Sequence, residues 1–297
     1  MPIELDLKAI LSSYAQLTLF ILMLSIGLSQ GFVNIAYLWR RPGLLGRCLL
    51  ASFVLVPLAA MLINWVVPMP FAVRVGLAVM AICPGAPMIY RKLLKGRALP
   101  TLAGSFQVTT ALLAVVMVPI WASIFAQIYP NDMAVAPATV FRQVALAQLI
   151  PIAAGLAIRE WFPELADDLD QPVFKLGSFL LIGVLLLILI VALPQVIRIG
   201  LLPVVGAVLF AAACLLIGHF LGGPDPASRL TIAVANGTRN AGLALALATA
   251  NFPDRGILAA IATYALFSAV AGSIYSNLYQ KKFPQEDPAT VWSDRRN

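Results

Sequence analysis

Ala235–Gly242 reads ANGTRNAG, between LTIAV (230–234) and LALALATA (243–250). The flanks are apolar enough for lipid, yet the centre carries two asparagines, two glycines, a threonine and an arginine. Irregular polar backbone at membrane depth survives only where protein or a water-filled cavity satisfies it. The segment therefore reads as a helix broken at its middle, with its polar centre turned inward.

The rest of the chain agrees with a membrane setting. Of 297 residues, 61% are hydrophobic and 11% charged, against about 45–50% and about 25% in soluble domains. The net charge of +7 does not imply nucleic acid, because basic residues of membrane proteins collect in cytoplasmic loops. Cys48, Cys83 and Cys214 sit in apolar runs without metal-ligand spacing, and His219 has no second ligand near it in sequence. The start, MPIELDLKAI, is acidic where a secretory leader would be basic, so no cleaved peptide is expected.

An all-α membrane protein with nine crossings is predicted. They run from Tyr14 to Ala36, Leu45 to Val66, Phe71 to Leu94, Leu102 to Ile128, Phe141 to Ala157 and Phe174 to Leu193. The last three run from Leu201 to Leu221, Ala227 to Ala250 and Ile257 to Leu278. With the N-terminus outside, fourteen basic residues fall in inside segments and five in outside ones, which predicts a cytoplasmic C-terminus. The segment 159–172, REWFPELADDLDQP, reads as a cytoplasmic linker, and the chain divides into a front repeat of four crossings (about 10–130) and a back repeat of five (about 138–282). Residues 283–297 form a polar tail, and no separate soluble domain is seen.

A second break lies in the third crossing. CPGAP (83–87) puts Pro84, Gly85 and Pro87 in five residues, and each proline removes a backbone donor. One break per half is the strongest sequence pointer to a transporter site, where half-helix ends face ions or substrate.

These residues resemble the bile acid:sodium symporter family. The resemblance rests on CPGAP…KG…TTALLAVVMVP (83–119), NGTRNAGLALALA (236–248), and SIGLSQGF with the following RRP (25–42), and it spans about residues 20 to 280. It implies an inverted repeat, here 4+5, whose two broken helices cross in a core domain beside a panel domain. It also implies sodium held by side-chain oxygens at the crossover. Carried over residue by residue, two of those oxygen donors fall on Ile89 and Tyr90, the glutamate falls on Ala235, and the glutamine falls on Arg239. Asn240 and Gly237 are kept. Hydroxyl positions of the fourth crossing fall on Ala103 and Gln107, with Ser105, Thr109 and Thr110 nearby. All thirteen acidic residues lie at termini or loops, which argues against sodium or proton coupling through a buried carboxylate.

The candidate crossover site is Pro84, Gly85, Pro87, Tyr90, Gln107, Thr109, Thr110, Asn236, Gly237, Thr238, Arg239 and Asn240. Arg239 has three readings: a built-in substitute for a bound cation, a direct contact to substrate, or a side chain that snorkels to an interface. The expected function is secondary transport of a small organic anion, bile-acid-like or carboxylate, without the usual sodium. The alternatives are a sodium-coupled symporter with an altered site and a non-transporting sensor on the same fold. No nucleophile–base pair, metal cluster or phosphate loop points to an enzyme, and no cofactor or metal is implied. Short loops point to a bacterial inner membrane.

Overall fold

A computed structural model describes residues 2–87, 98–128, 135–191, 194, 197 and 200–283. Regular structure among them is entirely helical: α1 (Pro2–Ser29), α2 (Phe32–Trp39), α3 (Pro42–Val66), α4 (Phe71–Ile82), α5 (Pro100–Ile128), α6 (Pro137–Trp161), α7 (Pro163–Val191), α8 (Leu202–Leu221), α9 (Pro226–Gly237), α10 (Ala241–Asn251) and α11 (Arg255–Lys282).

Among the described residues, seven helices are long and apolar enough to cross a membrane: Ala9–Ser29 within α1, then α3, α5, α6, α7, α8 and α11. The other two expected crossings are represented by α4, α9 and α10, of 12, 12 and 11 residues. At about 1.5 Å per residue none of these reaches across about 30 Å of hydrocarbon alone.

Two expectations are corrected. The acidic linker is not a linker: α6 ends at Trp161, and α7 begins at Pro163 and runs unbroken through Pro172 to Val191. Proline is at home in the first turn of a helix, where its missing amide has no partner to lose, and Glu164 favours the positive end of the helix dipole. Arg159 secures the corner by donating to Leu28 O and pairing with Asp167, both at 2.5 Å. The first crossing is not one helix either. It breaks at Gln30–Gly31, where Gly31 is extended, and α2 packs against α5. The Gln30 side chain lies flat on Gly104 of α5, where an added Cβ would come within 2.6 Å of its amide carbon.

Packing follows the small residues. α1 lies against α6 and α7, and α8 lies against α9 and α11. Gly27 and Gly155 let α1 and α6 meet backbone to backbone: a Cβ on either would come 2.8 Å from the other's Cα. Gly218 does the same for α8 and α9, its Cβ position lying 2.6 Å from Ala233 Cα. Lipid offers no hydrophobic drive between helices, so such close approach supplies dispersion contact instead. Polar faces turn inward, while Leu62, Phe179, Leu186 and Ile190 on α3 and α7 are exposed, as a lipid-facing rim requires.

Candidate functional site

The first break starts where α4 ends, at Ile82. Cys83–Ala86 are irregular and Gly85 has φ of 75°. The second break is shorter than ANGTRNAG suggests. Asn236 and Gly237 close the last turn of α9, Thr238 and Arg239 are non-helical, and Asn240 caps α10 by accepting from Leu243 N at 3.0 Å. The breaks touch, because Asn240 N donates to Cys83 O at 2.9 Å. Each break thus satisfies part of the other's freed backbone.

Arg239 is the centre of the arrangement. It is 3% exposed, which excludes an interface position. Its guanidinium donates to Met80 O (3.3 Å), to Ser52 O (3.4 Å) and, at short range, to Ala81 O. Met80 and Ala81 lie in the last turn of α4, whose carbonyls carry the negative end of the helix dipole. Pro84 cannot donate to Met80 O four residues back, so that carbonyl takes only the Cys83 amide at 3.2 Å from its own chain and keeps a lone pair for the guanidinium. Burying an arginine costs about 3 kcal/mol on insertion scales. Hydrogen bonds to a charged group return about 1.5–3 kcal/mol each, so this set holds the cation without an acid.

The remaining predicted residues divide. Asn236 accepts from Ser52 Oγ at 2.8 Å and donates to Ile232 O. Gly237 O accepts from Tyr264 OH at 2.9 Å, and the Cβ it lacks would meet Leu215 at 2.7 Å. Thr110 bonds back to Phe106 O and Gln107 O on its own helix, and its hydroxyl backs onto Gly85. Thr109 accepts from the Trp39 indole at 3.0 Å, so its hydroxyl serves the contact of α5 with α2. Gln107 Nε2, Asn240 Nδ2 and the Thr238 hydroxyl are buried without a hydrogen-bond partner. Pro87 is in the turn that leaves the first break. Tyr90 and Ile89 lie outside the described residues.

Two residues that the sequence reading missed belong to this cluster, Ser52 of α3 and Tyr264 of α11. The signal for Ser52 was Pro57, a proline in mid-span. Tyr264 left no signal in the sequence.

Beside the crossover, a pocket of ≈ 230 Å³ lies between α1, α6 and α10. Its walls are mostly apolar, with Gln16 and Gln143 as the polar side chains. Gln143 and Asn251 exchange two amide hydrogen bonds, 2.8 and 3.3 Å, which tie α6 to the end of α10.

Gly85 gives a direct test of the first break. A Cβ there would lie 2.6 Å from Thr110 Oγ1, in a backbone region that L-residues rarely adopt. Gly85→Ala is expected to lower stability by about 2–4 kcal/mol, combining left-handed strain with overpacking. Thermal unfolding in detergent measures it, and an unchanged midpoint would mean that the turn is not held as described.

Similarity to known proteins follows the same residues. The family model for the Sodium Bile acid symporter family matches residues 16–223. The chain is similar to the "Uncharacterized sodium-dependent transporter YocS" of Bacillus subtilis (strain 168), 28% identical over 298 residues, covering 96% of this chain and 88% of the relative. It is also similar to the "Probable sodium/metabolite cotransporter BASS2, chloroplastic" of Oryza sativa subsp. japonica, 26% identical over 275 residues, covering 88% of this chain and 62% of that longer protein. The family and both relatives are transporters, not enzymes. The protein is therefore an integral, multi-pass membrane protein, and it belongs to the sodium bile acid symporter family.

Proposed function

We propose that the protein is a secondary transporter of a small organic anion that works by alternating access without sodium. The observation that carries this reading is the Arg239 guanidinium on Met80 O, Ala81 O and Ser52 O. It fills the place at the end of a half-helix where relatives by resemblance hold a cation. The oxygen donors left around it do not suit a sodium ion: the glutamate position is Ala235, and the carbonyls already accept from a permanent cation.

The same reading gives the layout. Nine crossings are counted when α4 with its break, and α9 with α10, each make one. The front repeat covers about residues 10–130 and the back repeat about 138–282. α1, α6 and α7 form the panel, and the broken helices cross in the core. The N-terminus is outside and the C-terminus cytoplasmic, in a bacterial inner membrane. Three features favour an anionic substrate: a fixed positive charge, unpaired amide donors at Gln107 and Asn240, and the positive N-terminal end of α10. The pocket between α1, α6 and α10 lies where panel meets core, on the path a substrate would take.

Proteoliposome uptake tests the reading. Taurocholate and small monocarboxylates such as lactate are offered in sodium or in potassium at constant ionic strength. Equal uptake in both salts is expected for at least one anion. Uptake about tenfold faster in sodium would assign a sodium symporter with an altered site. No flux for any anion would favour a sensor.

A further inference from the structure

The acceptor set around Arg239 draws on a third helix, and the local sequence of that helix explains how. Within α3, residues Ala51–Leu55 form a π-turn, in which the Val56 amide donates five residues back to Ala51 O. Pro57 follows at once. Having no amide hydrogen, it leaves Phe53 O without the normal helical donor four residues on, and Ser52 O without a π-type donor five residues on. Val56, which would serve Ser52 O in an α-helix, is spent on Ala51. Both freed carbonyls find donors from elsewhere in the fold. Phe53 O accepts from the Trp121 indole of α5 at 2.7 Å, and Ser52 O accepts from Arg239 Nη2 at 3.4 Å. The Ser52 hydroxyl reaches the second break as well, through Asn236.

Among the described residues the same arrangement recurs once. ALAQLIP (145–151) in α6 has the spacing of ASFVLVP (51–57), with a π-turn at Ala145–Leu149 and Pro151 directly after it. In α6 the turn stands apart from Arg239, which makes it a built-in control.

We propose that Pro57 is a positioning residue for the crossover. By imposing the π-turn it turns the Ser52 carbonyl toward Arg239, completes a three-carbonyl cage for the guanidinium, and fastens α3 to both breaks. The cage is a site for a planar, monovalent cation, occupied by one that is covalently attached. Whether transport is coupled to sodium does not enter this argument, so it stands or falls separately from the proposed function.

The test uses the full chain in detergent. In Arg239→Ala, guanidinium chloride at a few millimolar is expected to raise the thermal midpoint, while equal tetramethylammonium chloride does not, because only a native-state ligand stabilises by mass action. Adding Pro57→Ala restores an amide at the turn and should weaken the apparent guanidinium affinity about tenfold or more. Adding Pro151→Ala should leave it unchanged. No guanidinium-specific rise in Arg239→Ala, or an equal rise with and without Pro57, overturns the proposal. Should Arg239→Ala not fold, the cost of Arg239→Lys is compared in three backgrounds as a double-mutant cycle. The cage predicts that Pro57→Ala at least halves that cost and that Pro151→Ala leaves it whole. Equal costs in all three overturn it.

Discussion

Arg239→Met is expected to remove at least nine-tenths of transport and to destabilise the fold by about 2–4 kcal/mol. Methionine keeps the length of the side chain and deletes its donors. Met80 O, Ala81 O and Ser52 O then face a thioether. Ala81 O and Ser52 O lose their donor at about 1–3 kcal/mol each, Met80 O keeps only the Cys83 amide, and removing the buried charge returns about 3 kcal/mol. The balance remains unfavourable because three charge-assisted hydrogen bonds are lost together, and because α4 loses the cation at its negative end. Uptake in proteoliposomes and the thermal midpoint in detergent are the two readings. Wild-type values for both would mean that the guanidinium neither holds the breaks together nor serves transport.

Gly155→Val is expected to have the larger structural effect. Its Cβ would fall 2.8 Å from Gly27 Cα and 2.5 Å from Leu24 O, and both are backbone atoms that cannot swing aside. α1 and α6 must separate, and the surface they share empties. Overpacking costs about 1–3 kcal/mol where side chains can adjust, and more is expected where only helices can move. The expected outcome is a protein that is extracted poorly and unfolds at a clearly lower temperature. Gly46→Val serves as the comparison, because nothing lies within 4 Å of its Cβ position. If both variants behave alike, the two helices do not meet at these glycines.

Much of this was legible in the sequence, and the exceptions share a cause. The apolar runs gave α3, α5, α6, α8 and α11 to within about four residues at each end, because lipid imposes length and composition together. The breaks were visible because proline and glycine cluster in CPGAP and glycine stands among polar residues in NGTRN, whereas the single Pro119 and Pro172 pass inside unbroken helices. What failed was polarity taken as a sign of irregular chain. Residues 163–172 are polar because they stand in water, yet a helix begins there from a first-turn proline. Conversely, Ser29–Gly31 looked continuous with its apolar flanks, but the chain turns at Gly31. At the crossover, Arg239 and Asn240 announced themselves as polar residues in lipid. Ser52 meets Arg239 through its carbonyl, which every residue possesses. Only the proline five positions later distinguished it, and that effect depends on a fold that brings Arg239 within reach.

The unbroken course of α7 has a further consequence. Its 29 residues span about 43 Å at 1.5 Å per residue, and the hydrocarbon layer takes up only about 30 Å. The acidic end, with Glu164, Asp167 and Asp168, must therefore stand clear of the hydrocarbon layer as a rigid post, braced to the end of α6 by the Arg159–Asp167 pair. A post rooted in packed helices acts as a lever. Any tilt of α1, α6 and α7 within the membrane is magnified at its tip, and a probe attached at Asp168 would register in water what happens at membrane depth.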